Sequence, residues 1–531
     1  MRKSIVLLCV FTLFCVLPSF SQRGNAARNQ PAPVPSGSLV FDVRDYGAKG
    51  DGVQLDSPAI NRAIEAAAGQ GGGTVFFPAG KYLSGSIRLK SNIALYISQG
   101  AVIEAVLDTA AYDKPEPNEW GDKFKYQDFG HSHWHNSLIW GENLENISIL
   151  GPGLIHGKGL TRSLMQDRIP DGVGNKAIGL KNCRNVILRD FSVLHGGHFV
   201  LLATGVDNLT IDNLKLDTNR DGMDIDCCRN VRISNCYVNS PWDDAICLKS
   251  SFGLGYARAT ENVTITNCWV SGGFEEGTML DGTYKPIGPD YKTPIPAHFT
   301  GRIKFGTESN AGGFKNITIS NCIFESCQGL ALETVDGGLL EDVTVTNITM
   351  RNIISAPIFL RLGSRMRGPE GVPVGKLRRV IISNIVAYDT KPSYCSVISG
   401  IPGYDIEDVQ LSNIQIYCTG GGTPEMAAVE PRENERGYPE PGMFGATPAY
   451  GFYVRHVNGI EFSNVQVQYD GEEARPAFQL VDVKNADFLH VKSEPVPGVP
   501  EVVLKDVTNF RSHFTSGVSD TTILKAASAR L

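Results

Sequence analysis

Basic tracts are missing from this sequence. Its formal net charge is −7 and its Lys and Arg residues are scattered, so nothing resembles a patch that neutralises a phosphate backbone. Nucleic acid is therefore excluded as a partner. Beyond the N-terminal leader no apolar run is long enough to span a bilayer, so no membrane span is expected. Paired Cys-x-x-Cys spacing is absent too, which removes the usual zinc framework, and neither metal nor cofactor is expected. What remains is 42% hydrophobic and 20% charged, the balance of a chain that buries a core.

The first residues have Arg2 and Lys3, an apolar run, then small Ser19 and Ser21. This reads as a secretory signal peptide over 1–21, followed by a Pro-rich flexible linker over 22–38. The expected product is an exported monomer, periplasmic or extracellular. Cys9 and Cys15 belong to the leader, which leaves ten of the twelve cysteines. Export permits disulfides. Yet Cys183, Cys228, Cys236, Cys268 and Cys322 recur beside Asn or Arg in one context, which suits a column of small buried side chains.

From about residue 143 a unit recurs. It reads Asn, β-branched, polar, β-branched, often Asn again, as in ENISILGPG, RNVILRDFSV, RNVRISNCYV and KNITISNCIF. Apolar alternation bounded by Asn and Gly indicates short strands. The repeat predicts a parallel β-helix, a single domain over 39–531. Ile147, Ile149, Val186, Leu188, Leu209, Ile211, Val231 and Ile233 would fill its bore. The Asn residues would ladder at turns, where Asn tolerates the left-handed conformation. That ladder also accounts for Asn-x-Ser/Thr at Asn146, Asn208, Asn262, Asn316 and Asn347 without glycosylation. Ser57-Pro58 opens a helix over 57–68 with an apolar face of Ala59, Ile60, Ala63, Ile64 and Ala67. It would cap the first coil within an N-terminal region of about 39–105, since a solenoid must cover its end.

Asp221 and Asp243 lie about 22 residues apart, one coil of such a repeat. Adjacent coils stack about 4.8 Å apart. Asp221 would then meet Asp243 and Asp244 on one wall, with Lys249 following. Three crowded carboxylates cannot all ionise easily, so one stays a proton donor beside an ionised base. Acetal hydrolysis needs that pairing. The bland alternative is a set of turn aspartates.

Longer excursions run over 110–137, 271–300, 361–376 and 420–451, and long loops in repeat folds commonly build functional walls. The first holds His131, His133, Trp134 and His135. These could ligate a metal, play a structural part, or form a polar and aromatic wall for sugars. Arg361, Arg365 and Arg367, with Arg378 and Arg379 beyond, form either a solvated face or a carboxylate site.

Together these residues resemble glycoside hydrolase family 28, the pectin-cleaving polygalacturonases and rhamnogalacturonan hydrolases, which are right-handed β-helix enzymes. The N-terminal VRDYGAKGDG, GGGTVFFPAGKY and IRLKSNIAL carry part of the likeness. The family's Asn-Thr-Asp-Gly-x-Asp is matched by Asn219-Arg220-Asp221-Gly222-Met223-Asp224. Its Asp-Asp-x-Ile-x-x-Lys-Ser is matched by Asp243 to Ser250. The resemblance implies Asp243 as general acid, with Asp221 and Asp244 holding the attacking water, hence inversion. It places Asn219, His198, Lys249, Arg302 and Glu308 at the substrate, with His133 and His135 on the wall. Two departures stand out. Arg302 occupies the place of the histidine in the family's Gly-His-Gly, and Ala331 and Glu333 replace the cations that hold a galacturonate carboxylate.

The expectation is a secreted, inverting and exo-acting hydrolase of an acidic plant cell-wall polysaccharide, of galacturonan or rhamnogalacturonan type. Arg302 would take over the uronate. Two other readings remain: a β-helix polysaccharide lyase, with calcium on the three carboxylates, and a noncatalytic carbohydrate-binding solenoid.

Overall fold

Alternation of β-branched and polar residues produces short strands, and Gly and Asn turns bend them into coils. The computed structural model describes residues 39–117, 131–158, 160, 174–286, 299–310, 312–391 and 393–531. The leader and linker read at 1–38 lie outside them. The chain is a right-handed parallel β-helix. Each coil adds a strand to the sheets above and below it. On one wall Phe199 pairs with Asp221, Asp226 with Lys249, and Cys247 with Lys304. On the next wall Val186, Leu209, Val231, Val263 and Ile317 stack in register. A third is built from Val193, Leu216, Val238 and Val270.

Every bore residue expected from the pattern is buried, from Ile147 to Ile233. Each such side chain contributes on the order of 1.5–3 kcal/mol when fully buried, so the column supplies the main driving force. The asparagines do ladder. Asn146, Asn185, Asn208, Asn262 and Asn316 all have φ between 54° and 58°. The Asn185 amide donates to Asn146 at 2.9 Å, Asn208 to Asn185 at 2.9 Å, and Asn316 to Asn262 at 2.8 Å. All ten cysteines of the described region are free and buried, as packing requires.

The first coil is covered by the helix Ser57–Gly69, whose Ala59, Ile60, Ala63, Ile64 and Ala67 are buried. The far end is closed differently. The strand Thr521–Arg530 turns back antiparallel along Val502–His513 and covers that edge.

Candidate active site

The strand Asp221–Asp226 follows a bend at Asn219–Arg220, and the loop Ser240–Asp244 of the next coil descends onto it. Gly222 makes this approach possible. A Cβ there would lie 2.5 Å from the Ala245 carbonyl oxygen, so any other residue would push the coils apart. The loop is fastened on both sides. Trp242 N donates to Asn219 O at 2.9 Å, Ser240 Oγ to Arg220 O at 2.6 Å, and Gly301 N to Asp243 O at 2.9 Å.

Asp221, Asp243 and Asp244 consequently converge, with one carboxylate oxygen from each within 4.8 Å of the others. That is closer than the roughly 6.5–9.5 Å usual between acid and base in inverting sites. The reason is coil geometry: Asp243 and Asp244 are consecutive, and Asp221 lies one rung below.

Electrostatics separate the three. Burial, with Asp243 and Asp224 nearby, pushes the Asp221 carboxyl well above the usual carboxylate range. Burial also raises Asp244, against the pull of Lys304 and Arg302. Asp243 goes the other way. Its partial burial is outweighed by Arg220, then Lys249, Lys304 and His198, and its carboxyl is held low. Arg220 Nη2 donates to Asp243 Oδ2 at 2.5 Å. The cluster thus favours a proton on its buried members over its most exposed one.

Lys249 is buried and bonds Glu308 at 3.1 Å, with Asp224 at 3.8 Å; its charge acts on Asp221 and Asp243 through space. His131 Nε2 lies 3.1 Å from the same Asp224. His198 packs edge-on to Phe199. The Oδ1 atom of Asn219, two residues before Asp221, is buried with no hydrogen-bond partner.

Several expectations need correction. Arg302 was expected to contact a uronate, but it is 1% exposed. Its Nε donates to Asp244 Oδ1 at 3.0 Å and its Nη2 to Glu440. Two carboxylates already occupy the guanidinium, so it holds the site rather than the sugar. Trp134 is no stacking platform: it is fully buried against Phe199 and Leu202, with Nε1 on Thr204. His135 pairs with Glu142 at 2.8 Å and stacks on Trp140, a structural arrangement. His133 is buried, with Ser132 Oγ 3.2 Å from its Nδ1. The arginine group binds the protein: Arg361 donates to Ser399 at 2.9 Å, Arg365 to Asp336, and Arg379 to Asp342.

Two participants had no role in the sequence reading. Arg220 was visible as a departure from the family motif, which has threonine there. Glu440 sits in the excursion 420–451 and carried no signal at all.

Among the described residues no helix is long and apolar enough to cross a membrane. Two family models match the chain: "Rhamnogalacturonase A/epimerase, pectate lyase-like" over residues 40–105 and "Right handed beta helix region" over 176–368. A probable polygalacturonase from Vitis vinifera is 25% identical over 407 residues, covering 72% of this chain and 74% of its own. An exopolygalacturonase from Platanus acerifolia is 23% identical over 414 residues, covering 74% of this chain and 93% of its own. In fold, the chain superimposes on the Yersinia enterocolitica family 28 exopolygalacturonase with a TM-score of 0.62 at 18% identity, over 84% of this chain and 78% of that one.

Proposed function

We propose that this chain, which is similar to polygalacturonases and shares the fold of a family 28 exopolygalacturonase, hydrolyses glycosidic bonds in pectic polysaccharides through Asp221, Asp243 and Asp244. The observation that carries the reading is the convergence of these carboxylates within 4.8 Å, two raised and one lowered. Such a cluster titrates as a unit. Asp243, with 27% of its side chain exposed, is the member that a glycosidic oxygen can reach. When a sugar draws Arg220 aside, the proton held by the cluster passes to Asp243 and from there to the leaving oxygen. Asp221 and Asp244 are close enough to grip one water between them and take its proton as it attacks the anomeric carbon. Attack from the face opposite the leaving group inverts the configuration.

The excursion 420–451 brings Tyr438, Glu440, Pro441 and Gly442 against a cleft lined by Asp243 and Asp244. A groove walled on that side favours cutting from a chain end, so exo action is part of the proposal. Export of a monomer, guided by the leader at 1–21, fits a polymer substrate met outside the cytoplasm.

Asp243→Asn tests the reading. Turnover of pectic oligosaccharides should fall by several orders of magnitude in a folded variant. Proton NMR of the first product should show the inverted anomer. A retained anomer would make Asp221 or Asp244 a nucleophile, and an unsaturated, ultraviolet-absorbing product lost on chelation would replace the hydrolase by a lyase.

A further inference from the structure

Beside Asp243 and Asp244 lies a cleft of 440 Å³, lined also by Trp242, Tyr394, Tyr438 and Glu440. Lys304 lines it, and Arg302 lies behind it bonded to the lining residues Asp244 and Glu440; both cations are 1% exposed. A uronate would be expected here. Yet the chain's own carboxylates already occupy these cations. Glu440 accepts from Arg302, and from Lys304 at 2.9 Å. Asp244 lies 3.0 Å from Arg302 and 3.8 Å from Lys304. Glu333, one coil up, adds a third carboxyl 3.7 Å from Lys304.

We propose that this cleft accepts a neutral sugar residue, and that Glu440 is the residue that determines this specificity by neutralising Arg302 and Lys304 in place of a substrate carboxylate. The inference rests on the pectic hydrolase reading for the identity of the polymer, and on the ion pairs for the sugar.

Two features make Glu440 a fixed component rather than a gate that swings away. It stands between Pro439 and Pro441, and its φ of −133° and ψ of 149° are those a residue preceding proline must adopt. Its backbone is also bonded: Glu440 N donates to Tyr438 O at 3.0 Å, and Met443 N to Glu440 O at 2.9 Å. The carboxyl is held down to about 2: burial raises it, but Arg302 and Lys304 outweigh that. Burial meanwhile pushes Glu333 up to about 8. Glu440 is therefore ionised at neutral pH and bonds both cations, while Asp244 lies 3.0 Å from Arg302 as its second partner. An incoming uronate would find both cations paired, and Asp243 across the cleft would repel it. A neutral sugar meets no such penalty, and its apolar face suits the rings of Trp242, Tyr394 and Tyr438.

Equilibrium binding to the full chain tests this, with galactose and galacturonate as probes that differ only at C6. The wild type should bind galactose more tightly. Glu440→Gln should leave galactose within about twofold and strengthen galacturonate by roughly tenfold, the usual size of one charged hydrogen bond gained. Tighter galacturonate binding by the wild type overturns the inference, whether or not the variant folds. So does an unchanged ratio in Glu440→Gln, or no binding of either sugar by the wild type. Preference for galactose without hydrolysis of any pectic fraction would leave the inference standing and remove the function proposed above.

Discussion

Arg220 Nη2 donates to Asp243 Oδ2 at 2.5 Å, joining the residue that departs from the family motif to the proposed proton donor. This ion pair opposes the acid role, because it favours the charged carboxylate. It lies in the groove, with 27% of each side chain exposed, so an entering sugar can break it. Arg220 then acts as a positioning residue, coupling protonation of Asp243 to occupancy.

Arg220→Thr checks that coupling through the pH profile. A general acid loses activity as pH rises through its pKa, and removing the cation raises that pKa. The basic limb of kcat/KM should therefore move to higher pH, by about one unit or more if the pair contributes as close opposite charges usually do. A change in rate with both limbs in place would mean Arg220 only shapes the loop.

Arg302→Ala should leave Asp244 and Glu440 without their guanidinium partner. Breaking a buried ion pair in this way typically costs about 3–5 kcal/mol of stability, readable by urea denaturation. Since Arg302 acts through Asp244 and not on the sugar, the loss of kcat should be equal on acidic and neutral oligosaccharides. A selective loss on the acidic one would restore direct uronate contact.

His135 and Glu142 make stability depend on pH. His135 first, then Lys181, hold Glu142 down at about 2 against burial. That contribution is present above the ordinary glutamate range near 4.5 and is lost as pH falls toward about 2. Glu142 raises His135 above its ordinary 6.5, so the histidine's contribution is full below 6.5 and is lost as pH rises through the raised value. The pair therefore stabilises most between these limits. In Glu142→Gln the melting temperature should fall most near pH 5.5, less at pH 9, where the Lys181 ion pair to Glu142 remains, and least as the pH approaches 2. A uniform fall across pH would assign the loss to packing.

The β-helix, its bore and its asparagine ladder were legible because each depends on spacing along the chain. Each coil returns the chain to the same turn and converts recurrence of the motif into vertical stacking, so Asn146, Asn185 and Asn208 align although 39 and 23 residues separate them. The same conversion brought Asp221 beneath Asp243 and Asp244. Arg302 and Trp134 show where spacing stops being informative. Their neighbourhood was foreseen, yet burial and partners were decided by segments outside the repeat. Glu440 lies 138 residues from Arg302, in an excursion with no period to fix where it lands. Glu116 bonds the backbone of Trp134 and His135 from within another excursion. Strand stacking is local and repetitive, so the sequence determined the scaffold and the carboxylates it carries. Which cations remain available to a substrate depends on loops packing across many coils, and only the tertiary structure decided that.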